Sequence, residues 1–490
     1  MFDALPLRWV SRMRDQGYFN QFLMAVMVTM PVINFGMLMG WLSPMTPILQ
    51  SPDGPAPEPI SDEIISWMGA GGFLPLILCS IFTGTIADRW GRKFVTMLTG
   101  FILQVGWSIM LFSLRPWALI TSRLVAGMAG AGCYVVLPMY LKEVASDNIR
   151  GALCSLFILS QNMGYLAVYV AGDLLSFKVL LWICTAIPAI FLAGFIFMPE
   201  TPVFLVKQGK IEQARVALSW LRNTTLNDKN LEEAIQQLQR EEEHAKSIEK
   251  ATLKSLVQDK TMFKAFRIAL FVMALQETCG YLVVLIFAGS IFAQASKSIN
   301  LNLSPNKQTI VVGVIQLLGS IVASCIVEKT GRKWLLAVTS LVTGLSMLTL
   351  GLWFYITSMS IWMPGWLPVL AMCLCIFADA AGFQPVPYVI TSELFNFQYR
   401  GMVSSTVIVV CGLSDFIQIK AFDPLLKLLG IHWIFIIFSF ICFLASFYAA
   451  TCVPETKNKS VEEIYAFLEG KEFKNKEKDN PELGKETSQL

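Results

Sequence analysis

Three short charged motifs occur twice in this 490-residue chain, and their residue types can form directed ion pairs. The first is Asp88-Arg89-Trp90-Gly91-Arg92-Lys93, repeated as Glu328-Lys329-Thr330-Gly331-Arg332-Lys333. The second runs from Glu143 to Arg150-Gly151 and again from Glu393 to Arg400-Gly401. The third is Pro199-Glu200-Thr201, repeated as Pro454-Glu455-Thr456. Arginine and carboxylate make bidentate, directional pairs that separate cleanly. The chemistry on offer is therefore the making and breaking of salt bridges. Asp88, Arg89, Arg92, Glu143, Arg150 and Glu200 supply it in the first copy, and Glu328, Arg332, Glu393, Arg400 and Glu455 in the second. One such motif alone reads better as a solvated charge belt; six at repeated positions point to a gate whose pairs are shared between two halves of the chain. Gly91 and Gly331 fit very short loops, where glycine permits the tight turn.

The elements around these motifs are apolar. Hydrophobic residues make up 55% of the chain and charged residues 15%, with a mean hydropathy of +0.58; soluble proteins carry about 25% charge. Runs such as 94–114 and 431–453 are long enough to cross a hydrocarbon core of about 30 Å, where an unhydrated backbone must be helical. Twelve spans are expected, at 19–44, 64–87, 94–114, 117–142, 151–175, 178–198, 264–294, 307–328, 333–357, 364–393, 402–429 and 431–453. The motif copies lie about 250 residues apart, the signature of a duplicated membrane protein with related halves. The expected organisation is an N-terminal segment 1–18, a six-helix bundle 19–198, a helical linker 199–263, a second bundle 264–453 and a charged tail 454–490.

The basic residues of the motifs fall on one side of these spans, while the loop 51–63 is acidic and carries no Lys or Arg. The positive-inside rule then puts the motifs and both termini in the cytoplasm. Arg8, Arg12 and Arg14 precede a run too long for a cleavable signal peptide. The net charge of +3 gives no reason to expect nucleic acid. Eleven cysteines sit almost wholly in apolar runs and two histidines stand alone, so no metal site, cofactor or disulfide framework is expected. No Walker-type phosphate loop is present. Asn302-Leu303-Ser304 is a glycosylation sequon on the outer side, weakened by Pro305.

The whole pattern resembles the sugar porter family of the major facilitator superfamily. The resemblance rests on the motifs above, on Arg123 to Gly132, on Pro138-Met139-Tyr140, on Gln276 with Gly280, and on Pro385-Val386-Pro387. Local wording at Ser66-Trp67-Met68-Gly69, Asn162-Met163-Gly164 and Lys420-Ala421-Phe422 is similar to insect-type facilitated trehalose and glucose transporters. The resemblance implies an all-α membrane protein of the major facilitator fold. Its twelve transmembrane helices would form two pseudo-symmetric bundles with a cytoplasmic helical linker. It also implies a central sugar site, alternating access, no enzymatic activity and a monomeric functional unit in the lipid bilayer. Without a C-terminal retention signal, the expected address is the plasma membrane.

On the family pattern the expected substrate contacts are Gln276, Glu277, Gln316, Gln384 and Tyr388, joined by the polar Gln161 and Asn162 of the fifth span. The chain departs from that pattern at Ile158, Leu282 and Cys411-Gly412, where the family carries polar or aromatic groups, and at Glu277, Gln316, Gln384 and Tyr388, which stand where the family has Gln, Asn, Gly and Trp. Leu38 stands where proton-linked members carry an acid, which favours facilitated diffusion. Glu277 is expected to face the cavity, with proton coupling through it as an alternative. Asp415 is read as a structural partner of Lys420, about one turn away, and Asp423 as structural too, with charge-assisted sugar binding or a cationic or larger glycosidic substrate as the other readings. Arg123 is expected to snorkel to the membrane surface. A non-sugar or glycosylated substrate, or a sensor that binds sugar without moving it, are the other readings.

Overall fold

The computed structural model describes residues 18–146, 149–247, 253–286, 305–395, 397–457 and 459–470, and these are helical with no strand among them. The first half comprises α1 (Tyr18–Gly40) with α2 (Leu42–Gln50), α3 (Asp62–Ala70) with α4 (Phe73–Trp90), α5 (Arg92–Phe112), α6 (Pro116–Val144), α7 (Arg150–Leu174) and α8 (Phe177–Phe195). A linker carries α9 (Pro202–Lys207), α10 (Ile211–Arg222), α11 (Lys229–Ser247) and α12 (Leu253–Gln258). The second half holds α13 (Lys260–Glu277), α14 (Pro305–Thr330), α15 (Arg332–Ser358), α16 (Trp366–Ala378), α17 (Pro385–Glu393), α18 (Phe397–Leu429) and α19 (Ile431–Cys452), and α20 (Val461–Glu469) follows. Eleven stretches among the described residues are long and apolar enough to cross a membrane. The 25-residue α7, packed between α1 and α14, makes the twelfth. The protein is a multi-pass membrane protein.

The halves meet along two seams, α7 against α14, and α3–α4 against α18. These seams exchange under the repeat. The first motif ends α4 and α14, and the second opens α7 and α18, so each seam pairs a helix with the counterpart of the other's partner. Small residues set the separations inside a half. A Cβ on Gly127 of α6 would lie 2.0 Å from the Gly72 carbonyl oxygen at the α3–α4 junction, a backbone atom that cannot move aside.

Two spans are broken at mid-course. The seventh pauses after Glu277, passes Gly280 at φ +94° and resumes helically through 281–286. The tenth widens into a π-turn at Asp379–Phe383, where the Gln384 amide donates to the Asp379 carbonyl at 2.9 Å. Pro385 and Pro387 follow, and neither has an amide hydrogen to continue the ordinary ladder.

The linker has a small core of its own, including Leu205, Ala217, Leu218, Leu231 and Ile235. It touches both halves. Asn20 of α1 donates to the Trp220 carbonyl at 2.6 Å, and Ser255 of α12 lies 3.1 Å from the Tyr399 hydroxyl of α18. The tail yields one helix that its high charge hid. Ser460 accepts from the Glu463 amide at 3.2 Å to start α20, Ile464 and Leu468 are buried, and Lys264 donates to the Leu468 carbonyl at 2.8 Å.

Gly127→Ala should lower the thermal midpoint of the detergent-purified protein, by an overpacking cost of about 1–3 kcal/mol. Gly84→Ala, whose added methyl would meet nothing closer than Val135 Cγ1 at 3.9 Å, is the control and should leave the midpoint unchanged.

Candidate functional site

The two helix breaks face the same space. A cavity of about 320 Å3 lies between the halves, lined by Phe73 and Leu76 of α4, Tyr134 and Pro138 of α6, and Phe157, Ile158 and Gln161 of α7. Across from them stand Glu277, Tyr281, Gln384, Tyr388 and Thr391 from the broken spans, with Ser404, Cys411 and Asp415 of α18. Where a helix stops, side chains that would otherwise point along the ladder turn inward, and irregular backbone is tolerated because it borders a cavity. The Tyr388 hydroxyl donates to Glu277 Oε1 at 3.2 Å, and Gln161 donates to the Tyr134 hydroxyl at 2.9 Å. Tyr388 lies within a spanning element yet is 40% exposed, because it faces the cavity.

Of the residues expected to contact substrate, Gln161, Glu277, Gln384 and Tyr388 line this cavity. Gln276, Gln316 and Asn162 are not on its wall. Gln276, the residue before Glu277 in α13, is fully buried. Asn162 donates to Ser320 Oγ at 2.5 Å and accepts from Gln316 Nε2 at 3.0 Å, so these two amides bind each other across the α7–α14 seam. A polar residue in an apolar helix is satisfied most cheaply by a facing helix, and here that option won. Tyr134, Tyr281, Thr391 and Ser404 were not singled out from the sequence; their polar groups sit on helices whose apolar runs gave no signal of which face turns inward.

Two further expectations are corrected. Lys420 does not pair with Asp415: its ammonium sits 4.3 Å from the ring centroid of Trp67, while Asp415 points into the cavity with Oδ1 unpartnered. On α18 the two side chains leave different faces, one towards Trp67 of α3 and the other towards Glu277. Arg123 does not snorkel. It is 3% exposed, donates to the Leu38 carbonyl and lies 5.4 Å from the Trp41 ring centroid, drawn inward at the α1–α2 junction.

The motifs close into one network, built twice. Arg92 reaches Glu143 at 3.1 Å, Asp88 at 3.1 Å and the Ala87 carbonyl at 3.1 Å. The other Glu143 oxygen accepts from the Thr201 hydroxyl at 2.5 Å, and Glu200 accepts from the Lys93 amide at 3.1 Å and the Thr201 amide at 2.8 Å. In the second half Arg332 reaches Glu393 at 2.9 Å and the Val327 carbonyl at 3.1 Å; Thr456 donates to Glu393 at 2.5 Å. Glu455 accepts from the Arg332 amide at 2.8 Å and the Lys333 amide at 3.2 Å. Glu200 and Glu455 thus cap the N-termini of α5 and α15, where free amides and the helix dipole favour an anion. Gly91 and Gly331, at φ +104° and +84°, leave room for those carboxylates.

These pairs brace each half internally. In this state Asp88 and Glu143 pair with Arg92, Glu393 pairs with Arg332, and Glu200 and Glu455 cap helices of their own halves; a ring shared between halves belongs to the state in which the motif end is closed. The short motif loops bring the carboxylates of neighbouring helices nearer than the other half. Arg89 is exposed and takes no part. Asn302 and the side chains of Arg150, Glu328 and Arg400 lie outside the described residues. Between the halves, the described bonds sit at mid-height and at the end remote from the motifs. Tyr169 donates to the Leu285 carbonyl at 3.0 Å, and Lys427 meets Asp62 at 3.7 Å.

Burial lifts the Glu200 carboxyl above the ordinary glutamate range, against its backbone hydrogen bonds. Glu455 is also partly buried, but amide hydrogen bonds from Lys457, Arg332, Lys333 and Thr456 outweigh that and hold it below the ordinary value.

Comparison with known proteins places these features in context. The family model described as "Sugar (and other) transporter" matches residues 19–467. Solute carrier family 2, facilitated glucose transporter member 8 of Bos taurus is 29% identical over 470 residues, spanning 92% of this chain and 95% of that one. The facilitated trehalose transporter Tret1 of Apis mellifera ligustica is 27% identical over 450 residues, 91% of this chain and 88% of that one. Among solved structures, the inward-open xylose transporter XylE from E. coli superposes with a TM-score of 0.75 at 21% identity, covering 91% of this chain and 99% of that one.

The opposite shifts of the two caps give opposite pH dependence. Glu455 adds stability that is complete above the unfolded value of about 4.3 and lost as pH falls through its lower folded value. Glu200 favours the folded state most at low pH, and that contribution fades as pH rises through its higher folded value. Glu455→Gln should therefore lower the thermal midpoint at pH 7, with the difference shrinking in acid. Glu200→Gln should cost less at pH 7 or raise the midpoint. Melting curves of both variants across pH check the signs.

Proposed function

The chain belongs to the family of sugar (and other) transporters, and we propose that it moves a sugar or sugar-like solute by facilitated diffusion, through alternating access of a site between its two halves. The observation that carries this is the cavity at the two helix breaks, in a chain that matches the family along almost its whole length. The relatives named for glucose and trehalose support a hexose- or disaccharide-type substrate. Hydroxyls stripped of water must be re-paired, and Gln161, Gln384, Tyr388, Thr391 and Ser404 offer donors and acceptors around an aromatic wall.

The mechanism follows from which bonds lie where. Each half is braced at its motif end by its own arginine–carboxylate–threonine network, so it moves as a body. The halves are held together at the far end by Tyr169 with Leu285, Asp62 with Lys427, and Trp67 against Phe416 and Lys420. In this state solute enters and leaves from the motif end. Rocking about mid-height, where Asn162, Gln316 and Ser320 meet, would part the far end and close the motif end. Leu38 is buried in α1 and carries no proton, which supports uniport. The basic residues at the motif end support cytoplasmic termini, and the plasma membrane and a monomeric unit remain our reading.

Purified protein in proteoliposomes should take up radiolabelled D-glucose or trehalose down a gradient without an imposed proton gradient; absence of uptake across a panel of hexoses and disaccharides would sink the proposal. Tyr388→Phe should raise the apparent KM by about tenfold, for one lost hydrogen bond of about 1.4 kcal/mol. Cysteines placed at 62 and 427 and joined by a bifunctional thiol crosslinker, with Cys325 and Cys452 replaced by serine, should arrest uptake.

A further inference from the structure

The cavity's charge is one-sided. Glu277 is 3% exposed and Asp415 8% exposed, and both line it, with Asp415 beside the Glu277 carboxyl. Among the described lining residues there is no lysine, arginine or histidine. The lining also has buried polar atoms that find no partner: Glu277 Oε2, Asp415 Oδ1 and Gln384 Oε1. All three are acceptors. The buried unpartnered donors among the described residues, such as Gln276 Nε2, Gln418 Nε2 and Arg123 Nε and Nη2, lie elsewhere.

Three acceptors without a partner around one space suit a ligand that presents donors. Two carboxylates side by side repel one another unless a proton or a cation joins them. A neutral sugar supplies hydroxyls but no charge. The geometry points to a solute bearing a protonated amine, of the amino-sugar class, whose ammonium sits between Glu277 and Asp415. This deepens the transporter reading above and rests on it only for the movement of the solute, not for its binding.

Other features of the wall suit the same ligand. Tyr134, Phe157, Phe73, Tyr281 and Tyr388 present aromatic faces and hydroxyls, and an ammonium is attracted to aromatic faces as well as to carboxylates. The α13 helix ends at Glu277, so the negative end of its dipole is turned to the same place. The sugar ring would lie against the aromatic side, its hydroxyls on Gln161, Gln384 and Thr391, with the amine directed to α18.

The test compares three probes of one shape: D-glucosamine, D-glucose and N-acetyl-D-glucosamine. Binding is read as the shift in thermal midpoint of the full-length protein in detergent, at about pH 6.5, where such an amine is protonated. Uptake into proteoliposomes is read in parallel. Glucosamine should bind at least tenfold more tightly than either neutral probe. Asp415→Asn and Glu277→Gln should each bring the ratio of glucosamine to glucose affinity close to one. Equal binding of the three probes, or N-acetylglucosamine matching glucosamine, overturns the inference and makes the two carboxyls a proton-sharing structural pair. A preference for glucosamine in the wild-type binding assay upholds it even without flux, and the missing flux would then count against the transporter reading alone.

Discussion

The absence of water around the backbone is the constraint on which this structure depends. In a hydrocarbon layer every amide must find its partner within its own helix. The chain obeys this along most of each span and departs from it after Glu277 and at Asp379–Phe383. Both departures face the cavity, where freed polar groups can turn to a solute. The breaks therefore define the site, and the regular helices around them hold it at mid-height. The twofold motif networks serve the same end from a distance. Each closes a set of helices into one body, so the motion left to the molecule is that of half against half.

Much of this was legible in the sequence. Span number and order follow from the length of the apolar runs, and the duplication from motifs that recur in the same order. The gross charge pattern follows from basic residues gathered beside Gly91 and Gly331. Glu277 could be picked out because an acid in an apolar run is costly and must have a use. What the sequence hid was direction. Asn162 and Gln316 looked like substrate contacts but face each other. Asp415 and Lys420 looked like partners but leave opposite faces of α18. In a helix apolar all round there is no amphipathic stripe to tell which side is buried, so the face a polar residue occupies emerges only when the helices are packed.

The motifs carry a related lesson. Opposite charges at repeated positions announced ion pairs, yet spacing alone could not say whether a pair closes within a half or across the interface. The network answers through its neutral members. Thr201 and Thr456 hold Glu143 and Glu393 from below, and Glu200 and Glu455 are committed to the amides that begin α5 and α15. With those bonds made, all four carboxylates are engaged within their own halves in this state. Capping and ion pairing are one arrangement here, and the tight glycine turn is what allows it.

The two networks share a plan but not an environment. The Arg92 and Glu143 side chains are 4% and 11% exposed, whereas those of Arg332 and Glu393 are 7% and 27% exposed. Counterions screen exposed charges far more than sheltered ones. Raising the ionic strength should therefore loosen the second half's brace before the first, so that one body softens while its counterpart stays rigid. A duplicated chain thereby acquires a polarity of mechanical response that its repeated motifs do not betray.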